Sequence, residues 1–75
     1  MKLKDLPETK RSHLAWRLDH KTSCGYLTAC RIAKLGTEHK DMEVWEVFKW
    51  AGLSDRASKI HARKVINFEL IAPLI

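Results

Sequence analysis

Cysteine is scarce in this 75-residue chain: Cys24 and Cys30 are the whole complement, too few for the disulfide framework of a small secreted protein. Glycine (three) and proline (two) are equally sparse, which excludes collagen-like and low-complexity classes and leaves long stretches free of helix breakers. No apolar run approaches the roughly 20 residues that cross a bilayer. The longest, Leu70-Ile-Ala-Pro-Leu-Ile75, is far shorter, so no membrane partner is expected. Met1-Lys-Leu-Lys-Asp5 lacks the apolar segment of a signal peptide, and the expected location is cytoplasmic. Alternating apolar and polar runs bounded by turns, the mark of strands, are missing. There is no Gly-rich phosphate loop, no nucleophile in a recognisable motif and no pair of carboxylates set among apolar neighbours. So short a chain also leaves little room for a large pocket, so neither enzymatic activity nor a cofactor is expected.

What remains is a globular composition, 45% hydrophobic and 31% charged, in a length that suits one domain over residues 1–75. Fourteen Lys and Arg against nine Asp and Glu give a net charge of +5, a bias toward nucleic acid or acidic surfaces as partners.

The punctuation predicts an all-α fold, a compact bundle of about four short helices. The first covers residues 7–20, opening on Pro7 and Glu8, with Leu14, Ala15 and Leu18 as its apolar stripe. Thr22 or Ser23 caps a second, closed by Gly36 in a left-handed position, with Tyr26, Ala29, Cys30 and Ala33 on its inner face. Asp41 opens a third, with Val44, Val47, Phe48 and Ala51 inward and Gly52 as its stop. Ser54 caps the fourth, Asp55 complements its dipole, and the pattern runs to about Phe68 before Pro73.

Charge geometry singles out the fourth helix. Arg56, Lys59 and Arg63 stand at i, i+3 and i+7, one outward stripe, with Ala57, Ile60, His61 and Val65 expected on the opposite side. A short Gly-containing turn followed by a basic helix is the layout by which a helix-turn-helix presents its second helix to DNA. Ser58 and His61 depart from it, because aliphatics usually stand there, and a solvated basic face on an ordinary surface helix gives the same stripe. A second basic stripe, Lys10, His13, Arg17 and His20, runs along the first helix away from Leu14 and Leu18. Lys10 and Arg17 are therefore candidates to support Arg56, Lys59 and Arg63 on phosphates.

Trp16, Trp45 and Phe48 are expected in the core. Trp50 projects near Glu43 and Glu46 and needs cover from the first helix, or else is available to a partner. His20, Cys24, Cys30 and His39 carry ligand atoms for zinc, but their spacing does not match paired ligands on tight turns, so no metal is expected. The apolar end from Ile66 to Ile75 requires cover, from its own bundle or from a protein partner or second copy through Phe68, Leu70 and Ile71. Two readings follow: a small nucleic-acid-binding or regulatory domain acting through the basic face of the fourth helix, or a protein-interaction module docking through Trp50 or the C-terminal segment.

Overall fold

A computed structural model describes residues 1–69. The fold is an all-α bundle of four helices: α1 (Glu8–Lys21), α2 (Tyr26–Ala33), α3 (Val44–Trp50) and α4 (Asp55–Ile66). Two short 3-10 segments, Leu3–Asp5 and Glu38–Asp41, precede α1 and α3. α1 packs along α2, α3 along α4, and α1 also meets α4. Leu14, Leu18, Ala29, Ile32, Val44, Val47, Phe48, Ala62 and Val65 bury their side chains at the junction.

Leu3 and Leu6 complete that core, which the sequence did not announce. The Leu3 N–H donates to the Met42 carbonyl (2.9 Å) and the Val44 N–H to the Met1 carbonyl (3.1 Å), so the N-terminal segment is strapped to the start of α3. Six residues hold no helical period to read, and their burial follows from this backbone pairing.

Helix ends explain most departures from the expected boundaries. Thr22 closes α1 instead of opening α2, because its hydroxyl donates to the Leu18 carbonyl and accepts from the Cys24 N–H. Gly25 is then the N-cap of α2. Tyr26 consequently sits in the first turn, 65% exposed, and not on the inner face. At the other end Leu35, at φ 61°, takes the left-handed position expected of Gly36. Glycine is needed one residue later for a different reason: the Gly36 N–H reaches the Arg31 carbonyl at 2.9 Å, and a Cβ there would lie 3.3 Å from that oxygen. Leu35 packs against the core, which offsets its backbone cost.

Asp41 ends a 3-10 segment, and α3 starts later, where the Glu43 N–H donates to Oε1 of Glu46 at 3.2 Å. Gly52, at φ 107°, ends α3 as expected, and the Leu53 N–H returns to the Phe48 carbonyl at 3.2 Å. Ser54 caps α4 by accepting from the Ala57 N–H at 3.2 Å. That turn sets the rotation of α4. Its buried face is Ser58, Ala62 and Val65, roughly a quarter-turn from the face expected, and it leaves Ile60 in solvent.

Candidate functional site

α4 carries the largest net positive charge of the four helices. Arg56, Lys59 and Arg63 are all exposed, as their spacing predicted, and with Ile60 and Lys64 they line one shallow depression. At about 100° per residue Lys59, Arg63 and Arg56 fall within about 60°, Ile60 follows about 40° beyond Arg56, and Lys64 about 40° beyond Ile60. Asp55 is the only acid of this helix, and its carboxylate is turned to Lys49 at 2.9 Å. The Lys49 hydrogen bond and charge hold that carboxyl below its usual range. Among the described residues Arg56, Lys59, Arg63 and Lys64 form no salt bridge, whereas Lys4 and Lys49 do.

Both flanks of α4 carry further cations. On the α3 side, Lys59 and Lys49 lie 5.2 and 5.9 Å from the ring centroid of Trp45, which is half-buried and not fully in the core. On the α1 side, Arg17 hydrogen-bonds the ring of His61, and Lys64 and Lys21 add their positive charge to its surroundings. Burial first, and then these three cations, push the His61 pKa below its ordinary value of 6.5.

Lys10 and Arg17 are engaged inside the fold. The Lys10 ammonium donates to the Ile66 carbonyl, one of the open acceptors at the end of α4. The adjacent Arg11 does the same for α2, donating to the Ala33 carbonyl at 2.8 Å. Arg17 donates through Nε to Nε2 of His13 and through a terminal nitrogen to Nδ1 of His61, each at 2.9 Å. The stripe on α1 therefore turns partly toward α4, where Arg17 meets His61, while Lys59 and Arg63 lie on the other flank of α4, beside Trp45. Lys21 and Lys64 were not picked out from the sequence, and Ile60 was expected on the inner side, although it is exposed. For Lys21 and Lys64 the available signal was their i+4 spacing from Arg17 and Ile60.

Elsewhere, Phe48 is fully buried as expected, but Trp16 is 48% exposed. It lines a cleft of about 430 Å³ between α1 and α2 together with Tyr26, Ala15 and Cys30, a larger cavity than a chain this short was expected to hold. Burial, and then Asp19, raise the Cys24 thiol pKa and disfavour the nucleophilic thiolate. His20 pairs with Asp19 at 3.7 Å, and His39 bonds Thr37 at 2.8 Å. Among the described residues no three His, Cys, Asp or Glu side chains gather as a metal site requires. Nor is any helix among them long and apolar enough to cross a membrane.

Trp50 is 51% exposed and meets His39 edge-on at 4.2 Å between centroids, in place of the cover expected from the first helix. Phe68 folds back and stacks on His13, with centroids 4.0 Å apart. Leu70 and Ile71 lie outside the described residues. Compared with protein-family models, with curated proteins and with solved structures, the chain shows no match.

Proposed function

We propose that this protein binds double-stranded DNA, with α3, the Gly52 turn and α4 acting as a helix-turn-helix and α4 entering the major groove. The observation that carries this reading is the basic face of α4, which has no salt bridge among the described residues: Arg56, Lys59, Arg63 and Lys64 project on one exposed side while the helix's only acid is tied to Lys49. Exposed cations left without carboxylates are suited to phosphates, whose neutralisation releases counterions. Duplex DNA is favoured over duplex RNA because a B-form major groove admits a helix and an A-form one does not. Exposed Lys21 at the end of α1 supplies a further cation.

The test is binding of a fluorescent random-sequence duplex over a range of salt. Affinity is expected to fall linearly on a logarithmic plot, and Arg63→Ala to remove about one unit of slope at unchanged melting temperature. No binding even at low salt would overturn the reading. The half-exposed Trp50 ring would then favour the second reading, a protein-interaction module with Trp50 as its contact.

A further inference from the structure

Ile60 stands out on α4 by where it sits. It is 47% exposed, and on the helix surface it lies between Arg56 and Lys64, with Lys59 and Arg63 completing the surround. At this mid-helix position a β-branched residue forms helix less well than the straight-chain Lys, Arg, Glu or Gln would. No described neighbour covers it, since the rotation of α4 sends Ser58, Ala62 and Val65 into the core instead. Across α4 the order is cation, apolar, cation. Lys59 and Arg63 lie toward Trp45 of α3, and Lys64 lies on the other flank, three residues on from His61, which meets Arg17 of α1.

That order matches a helix lying between two phosphate strands. Cations on the flanks face the backbones, and the residue on the midline faces the floor of the groove. The floor of the major groove presents one apolar group, the C5-methyl of thymine, and aliphatic side chains recognise it by contact. We infer that Ile60 reads thymine methyls, so that the protein prefers thymine-containing sites over other duplex DNA. This inference rests on the DNA-binding reading above and adds the base to which the interface responds.

The experiment compares an alternating adenine–thymine duplex with the same duplex in which every thymine is replaced by uracil, a change that deletes the methyl group and keeps the base pairing. The wild-type protein is expected to bind the thymine duplex about fourfold more tightly, which is what removal of one methyl from water is worth. Ile60→Ala is expected to bind both duplexes alike, with the salt slope of the wild type. Because Ile60 is outside the core, the variant's circular dichroism should match the wild type and its melting temperature should be no lower, which separates contact loss from misfolding. Equal wild-type affinity for the two duplexes, with a normal salt slope, would overturn the role of Ile60 and leave DNA binding standing. A thymine preference that survives in Ile60→Ala would also overturn it, because the difference would then come from duplex shape or another side chain. Failure to bind either duplex would remove both the inference and the reading beneath it.

Discussion

Nδ1 of His61 accepts a hydrogen bond from the Arg17 guanidinium at 2.9 Å, so the residue that links α1 to α4 also holds the ring in its neutral form. Arginine is always a donor, which puts the remaining ring proton of His61 on Nε2. The same guanidinium donates to Nε2 of His13, and two imidazoles thus share one cation at the seam.

Stability should therefore fall on mild acidification. Both rings have pKa values below the ordinary 6.5, His13 through burial and then Arg17, His61 through burial and then Arg17, Lys64 and Lys21. The unfolded chain takes up these protons first as pH drops. The stabilisation is fully present above about pH 6.5 and is lost as pH falls toward the folded-state values. Melting temperature is expected to decline between about pH 7 and about pH 5, above the range where carboxylates titrate. Arg17→Met should flatten that decline, since removing the cation lets both pKa values rise. A flat wild-type profile would refute this account.

Ser58→Ala should stabilise the protein. Ser58 is fully buried, and its Oγ has no hydrogen-bond partner among the described residues. An unpaired buried hydroxyl costs about 1–3 kcal/mol, and alanine is the better helix former by a few tenths more. A gain of about 1 kcal/mol, read as a higher urea midpoint at unchanged slope, is expected. A loss of stability would mean that the hydroxyl is satisfied after all.

The outward stripe of α4 was legible because charge is a strong directional signal: Arg56, Lys59 and Arg63 had to share a face, and that face had to meet water. The inner face was not. Ile60 reads as core by hydropathy and Ser58 as surface, and their roles are exchanged because the Gly52 turn and the Ser54 cap fix how α4 meets α3. Hydropathy failed in the same way at Trp16 and Tyr26, both exposed, since a narrow four-helix core is filled by Phe48 and small aliphatics. Lys10 and Arg17 were visible as cations. Their engagement with Ile66 and His61 is tertiary, joining residues 56 and 44 positions apart, and no local pattern encodes it.

This distinction separates the basic residues into two kinds, and a pair of variants tests it. Lys10 is half-buried, and its ammonium donates to the Ile66 carbonyl, where a positive charge also suits the negative end of the α4 dipole. Arg63 is exposed and among the described residues has no salt-bridge partner, although its own carbonyl accepts from the Asn67 N–H. Lys10→Met keeps an aliphatic stem and removes the charge and the donor. It is expected to lower stability by about 1.5 kcal/mol, the lower end of the range for a charge-assisted hydrogen bond, and to leave the salt slope of DNA binding unchanged. Arg63→Ala should do the reverse, losing about one unit of slope with stability intact. Urea unfolding and salt-dependent binding measured on both variants would show the crossing. If Lys10→Met instead lost slope at full stability, Lys10 would leave Ile66 for a phosphate in the complex and would belong to the binding face.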